Sequence, residues 1–205
     1  MHVYGVQFFA KNSLPDNITL EQLRKEILEY LPQELFRGVN SVFLGDFKYL
    51  QSRGAQAISY NNSIFISSQQ ETTKEIIDDL AHELGHNVEK RFFNNIHNNP
   101  TLKSEFLTKK NRAIGHLRNS GLIDYDYEAT VEHDPALDDL LANEIGLHNL
   151  EKTFANLIVT PYSLVSLSEY FSEGLEFYLL NDAFYLQNIC PVLYNVIVTI
   201  LKSGE

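Results

Sequence analysis

Cysteine is almost missing from this chain: one residue, Cys190, in 205. A lone thiol cannot close an internal disulfide, and with Pro191 and an apolar stretch behind it Cys190 is expected to pack in a core. That usage is compatible with a reducing compartment. Basic residues are also scarce, 16 Lys and Arg against 27 Asp and Glu, for a formal net charge of −11. This argues against nucleic acid as the main partner, because phosphate binding calls for a basic face, and it disfavours an anionic membrane surface for the same reason. Long apolar runs are absent, and Val192–Leu201, the most apolar stretch, is too short to span a bilayer. Met1–Ala10 alternates like a strand and has neither the basic start nor the apolar run of a signal peptide. A cytoplasmic protein is therefore expected as synthesised, although delivery by a dedicated secretion machine or packaging in a particle would leave no such mark. No repeat, low-complexity tract or linker stands out. What remains, 44% hydrophobic and 21% charged residues, is the composition of a soluble globular protein long enough for one ordinary domain.

Local patterns predict an α+β fold with strands first and helices later. Val3–Phe9 reads as a strand. Thr19 and Gln22 open a helix with Leu20, Leu23, Ile27 and Leu31 on its apolar face, and Pro32 ends it. Val39–Phe47 and Ala55–Ser67 read as strands, the second folded at a Tyr60-Asn61-Asn62-Ser63 hairpin turn. Strand signals stop there. Helices are predicted over Thr72–Phe93, Thr101–Arg118, Pro135–Ile145 with Asp134 as its cap, Leu150–Ile158, Ser168–Asn181 and Pro191–Leu201. A single domain over 1–205 follows, made of a small sheet with its helix (1–93), a helical insertion (94–151) and a helical remainder (152–205).

The Thr72–Phe93 helix carries His82-Glu83-Leu84-Gly85-His86. On a helix its two histidines lie one turn apart on one face, so both imidazoles can reach one zinc ion. Glu83 lies beside that face, where a carboxylate can deprotonate a metal-bound water. Ile76, Ile77, Leu80, Leu84, Val88 and Phe92 form a core-facing stripe, and Thr72 with Glu75 reads as a capping box. A catalytic zinc site needs a third protein ligand and an open water position. Glu89, one turn past His86 on the same helix, cannot easily close a tetrahedron and suits a supporting or solvated role. His97 falls among Asn94, Asn95, Asn98 and Asn99 and reads as an exposed loop histidine. Glu169 and Glu173 are one turn apart on a largely apolar helix, where buried carboxylates need partners. Glu169 suits the metal, and Glu173 suits the free ring N–H of a ligand histidine. The ordinary alternative is a pair of solvated surface glutamates, and Glu176 reads as surface.

Tyr162, seven positions before Glu169, and the run Glu169-Tyr170-Phe171-Ser172-Glu173 resemble the gluzincin metallopeptidases of the anthrax lethal factor and Pro-Pro endopeptidase type. The similarity extends to Phe177-Tyr178-Leu179-Leu180-Asn181 and to Cys190-Pro191 with Tyr194. It implies a zincin-like fold, Zn2+ as cofactor, Glu169 as third ligand, Tyr162 as the phenol that stabilises the oxyanion, and Glu173 behind the ligands. His86 and Glu169 are 83 positions apart, a longer interval than in those relatives, so 94–151 reads as an elaboration and proline-directed cleavage is not implied. A second resemblance, of HELGH with Phe154-Ala155 and Ile158-Val159-Thr160-Pro161 to cytosolic repressor-cleaving metallopeptidases, would instead point to Glu144, Glu151 or His148 as ligand.

These parts predict a zinc endopeptidase acting on a peptide or protein, with Glu83 as general base and an edge of the N-terminal sheet holding an extended substrate. The competing readings are a catalytically silent zincin-like component of a larger assembly and a regulatory protease with one protein target. The segment 124–144 holds eight acidic residues and no Lys or Arg. It reads as a solvated acidic face, or as a site for a basic substrate or second cation. His133 and His148 read as structural.

Overall fold

Alternating side chains build the first part of the protein into a sheet with two unlike faces. The computed structural model describes residues 1–124 and 127–203. In it β1 (His2–Val3), β2 (Val6–Ala10), β3 (Ser41–Gly45), β4 (Ala57–Tyr60) and β5 (Ser63–Ser67) form one sheet in the order β1-β2-β3-β5-β4. The three central strands run parallel and the two edge strands antiparallel to them. Phe8, Val42 and Ile64 lie in one cross-strand row, with Leu44 and Ile66 in the next, and all five are buried.

The predicted strand Val3–Phe9 is instead a hairpin. Tyr4 and Gly5 have φ of 51° and 84° and turn the chain between β1 and β2. The left-handed backbone is easy for glycine and costly for tyrosine, and the Tyr4 ring packs on Phe36 at 5.5 Å to offset that cost. The hairpin expected at Asn61-Asn62 is present, with φ of 48° and 58° in a two-residue turn. Helix α1 (Leu20–Tyr30) begins where expected, Thr19 accepting from the Gln22 N–H at 3.1 Å. A 3-10 turn at Gln33–Phe36 and a short helix α2 (Lys48–Arg53), closed by Gly54 at φ 64°, were not foreseen. Neither is long enough to show a helical period. Helix α3 (Thr73–Arg91) packs against α1, β4 and β5.

From Phe92 onward the described residues contain helices and no strand. They are α4 (Phe93–His97), α5 (Pro100–Asn119), α6 (Pro135–Asp139), a π-helical turn at Leu140–Ile145, α7 (Leu147–Phe154), a 3-10 turn at Pro161–Leu164, α8 (Leu167–Leu180), α9 (Ala183–Ile189) and α10 (Pro191–Ser203). Asn99, Asp134, Ser166 and Asp182 cap α5, α6, α8 and α9 with their side chains. Cys190 is buried, as expected. Gly174 lets α8 lie against α10, since a Cβ there would collide with Leu193 Cδ2. Glu105 on α5 accepts from the backbone N–H of Val192 and Leu193, at 2.9 and 3.0 Å, and from the Tyr170 hydroxyl at 2.9 Å.

The fold is thus α+β, with a small mixed sheet and a mainly helical remainder. The chain divides into two compact units, Met1–Arg91 and a second that begins at Phe92. The segments 94–151 and 152–205 distinguished in the sequence both belong to the second. Among the described residues, no helix is long and apolar enough to cross a membrane.

Candidate functional site

In the first unit, chemistry gathers on α3. Thr72 accepts from the Glu75 N–H at 3.2 Å, and the Glu75 carboxylate accepts from the Glu71 N–H at 2.7 Å, so the acid serves the residue before the expected cap. Ile76, Ile77, Leu80, Leu84 and Val88 are buried along the predicted stripe. Asn87 fixes the helix from outside that stripe, donating to the Leu35 and Arg37 carbonyls at 3.0 and 2.9 Å.

This anchoring fixes the turn that bears both histidines. The His82 and His86 rings meet edge to face with centroids 4.8 Å apart, and their Nε2 atoms are 3.2 Å apart. On its other nitrogen, Nδ1 of His86 lies 3.4 Å from Glu89 Oε2. A proton on Nδ1 directed at that carboxylate leaves a bare lone pair on Nε2, turned toward the Nε2 of His82. Two facing imidazole nitrogens are a donor set suited to a borderline metal such as zinc. Both rings are half-buried, whereas Glu83 and Glu89 are only 7% and 9% exposed. Glu89 therefore has the supporting place of its two expected readings, against a histidine and out of solvent.

In the second unit, the relevant side chains gather around the start of α8. The Ser166 hydroxyl accepts from the Glu169 N–H at 3.1 Å. Glu169, Glu173 and Glu176 are all half-buried. Glu173 Oε2 accepts from the Thr160 hydroxyl at 2.6 Å. Tyr162 belongs to the 3-10 turn that packs on α8, and its ring rests on the apolar cluster of Leu137, Leu141, Phe154 and Leu164.

A buried lysine holds this region in place. Lys110 on α5 is fully buried, and its Nζ donates to the Thr130 and Val165 carbonyls at 3.2 and 3.3 Å, over the rings of Phe106 and Tyr127. Burial pulls its pKa down to about 8, against the opposing effect of the Asp134 carboxylate. The Leu167 N–H donates to the Val131 carbonyl at 2.9 Å and closes the same loop on the first turn of α8. Burial likewise pushes the Tyr170 hydroxyl well above its ordinary range, with Cys190 and Glu105 beside it.

Several expected details change. His97 is in helix α4 rather than a loop, stacked on Phe93 at 4.4 Å; a single helical turn among asparagines has too short a period to read. His133 is paired with Asp138 at 3.2 Å, and His148, 92% exposed, lies 3.6 Å from Glu151. Both lie at the surface, each beside a carboxylate. Glu144 is exposed, and among the described residues Glu144, His148 and Glu151 join no group able to hold a metal. Within the acidic segment 124–144, Asp134 caps α6 as expected, while Asp126 lies outside the described residues. The sequence reading does not single out Asn87 or Lys110, and it names Thr160 only within the Ile158–Pro161 run. Thr160 before Pro161 has the form of a helix start, but nothing local pointed from Asn87 or Lys110 to carbonyls tens of positions away. Compared with profiles of known protein families, with characterised proteins and with solved structures, the chain matches none.

Proposed function

We propose that the protein is a zinc-dependent endopeptidase of gluzincin type with a zincin-like fold, in which His82, His86 and Glu169 hold the metal, Glu83 is the general base and Tyr162 stabilises the oxyanion. The observation that carries this reading is the facing Nε2 pair on α3, with Nδ1 of His86 at Glu89. Histidines that ligate metals commonly have their second nitrogen held by a carboxylate in this way. Two histidines leave the third place to a carboxylate, and Glu169 is preferred over Glu173 because Glu173 already accepts the Thr160 hydroxyl.

Zinc in such a site supplies Lewis acidity, polarising a peptide carbonyl and acidifying water. The protein does the rest. Glu83 takes the proton of the attacking water and later delivers it to the leaving amine, and its burial keeps that proton from bulk solvent. Tyr162 donates to the oxygen on which negative charge develops. β4, an edge strand, presents main-chain groups to an extended substrate.

The test is zinc content per chain in the parent and in Glu169→Ala, with peptide hydrolysis by the parent and by Glu83→Gln. About one zinc in the parent, marked loss of zinc in Glu169→Ala, and hydrolysis lowered by Glu83→Gln with its zinc kept are expected. Zinc retained in Glu169→Ala but lost in Glu173→Ala would move the third ligand to Glu173. A parent that stays metal-free after reconstitution would overturn the reading and leave a zincin-like scaffold.

A further inference from the structure

The sheet of the first unit buries one face and leaves the other uncommonly apolar. Side chains alternate along a strand, so the residues between Phe8, Val42, Leu44, Ile64 and Ile66 point away from the face that those five bury. On that second face Phe9, Phe43 and Phe65 stack across β2, β3 and β5 with centroids 5.0 Å apart at each step. Phe47 meets Phe65 edge-on at 5.3 Å. The ladder spans about 10 Å at ordinary strand spacing, and it leads into a cavity of about 460 Å³ lined by Phe47, Tyr49, Leu50, Ile58, Tyr60 and Phe65. Phe9, Tyr49 and Tyr60 are 39%, 51% and 64% exposed.

Charge at this cavity departs from that of the chain. No lining residue is acidic, nor is any residue in register on this face among Gln7, Phe9, Ser41, Phe43, Ser63 and Phe65. Two cations lie over lining rings instead: Lys11 Nζ is 4.8 Å from the Phe47 centroid and Arg53 Cζ is 4.5 Å from that of Tyr49. The nearby Asp46 carboxylate accepts from the Ser68 hydroxyl at 3.1 Å. On a protein of net charge −11, an apolar hollow flanked by cations and free of carboxylates is complementary to an apolar group that carries anions.

We propose that this hollow is a docking site for a segment of a partner protein, one that inserts a large apolar side chain between Tyr49 and Tyr60 and sets flanking carboxylates against Lys11 and Arg53. The length of the ring ladder leading to the hollow suits a polypeptide laid across the strands. A second copy of the chain suits it poorly, since a two-fold contact sets this face against itself, and the face offers Lys11 and Arg53 but no lining carboxylate to pair with them. The hollow shares no lining side chain with the histidine pair, and docking there needs no zinc. If the proposed zinc chemistry holds, the docked partner is the substrate protein, since Ile58 and Tyr60 of the hollow belong to β4.

The test is selection from a random dodecapeptide library on the full chain, with fluorescence anisotropy of the enriched peptides against the parent, Glu83→Gln and the double variant Tyr49→Ala/Arg53→Glu. Both residues of the double variant are exposed, and an unchanged melting temperature verifies its fold. Enriched peptides should pair one large apolar residue with neighbouring Asp or Glu. They should bind parent and Glu83→Gln equally, and bind the double variant at least ten-fold more weakly. Lys11→Glu should weaken them too. No enrichment, enrichment of basic peptides, or equal binding to the double variant overturns the proposal. So does concentration-dependent dimerisation of the parent that the double variant abolishes, which would give the face to a second copy.

Discussion

Glu83 and Glu89 are both buried acids on α3, one beside each histidine, and the proposal gives them different work. Glu83 handles a proton during the reaction, so Glu83→Gln should keep the parent's zinc content and lose about 10²–10⁴-fold in kcat, the range for general acid–base catalysis. Glu89 orients His86, so Glu89→Gln should weaken zinc affinity about 10–100-fold, as measured by competition with a chromogenic chelator. The contrast separates base from support, because the first substitution moves turnover without moving metal and the second moves metal first. Tyr162→Phe should lower kcat by about 10²–10³-fold with little change in KM if its hydroxyl meets the oxyanion. The histidine pair and Glu83 were legible in the sequence because one helical turn sets their geometry. Glu89 was only half legible: its position was clear, but burial decided between solvent and His86.

Elements show how caps and close contacts set that geometry. The caps at Thr19, Thr72, Asp134 and Ser166 each satisfy an N–H of their helix, and the caps read at Thr19, Thr72 and Asp134 are where the sequence puts them, since a cap bonds within three positions. Packing between helices was not legible. At Gly174, α8 approaches α10 closely enough that a methyl group would meet Leu193, which is itself buried. Gly174→Ala should therefore lose about 1–3 kcal/mol of stability, despite alanine's better helix propensity, as overpacked cores do. Urea denaturation reads this directly. A gain in stability would mean that Leu193 has room to move aside.

Over the whole molecule, the buried Lys110 makes stability depend on pH. Its pKa falls to about 8 on folding from an ordinary 10.5, so folding disfavours the charged form. Below about pH 8 both states hold the proton and the full cost is present. Between about 8 and 10.5 the folded protein releases its proton while the unfolded chain keeps it, so stability rises with pH across that window. Relative to Lys110→Met, the parent should gain up to about 3 kcal/mol between those limits, at 1.36 kcal/mol per pKa unit. The raised thiol pKa of Cys190, caused first by burial, acts in the opposite sense but equally in both proteins. Denaturation midpoints at pH 7.5 and 10.5 measure the difference, and parallel pH profiles would show that Lys110 does not titrate in this range.

The sequence alone determined what one or two turns of chain can encode: the α+β order of elements, the Asn61-Asn62 hairpin, most helix starts, and the spacing of His82, Glu83 and His86. It also placed Glu169 and Glu173 on one helix, because a 3.6-residue period is written in neighbouring positions. Only the tertiary structure decided that Tyr4 and Gly5 break the first strand, that Glu89 faces His86, that Lys110 ties two loops to the start of α8, and that three phenylalanines stack across strands beside a cation-flanked hollow. Each of these depends on residues far apart in the chain, and a one-residue change of strand register would turn the phenylalanines to the other face. Local propensity carries no record of such pairings. They are fixed when strands align and cores close.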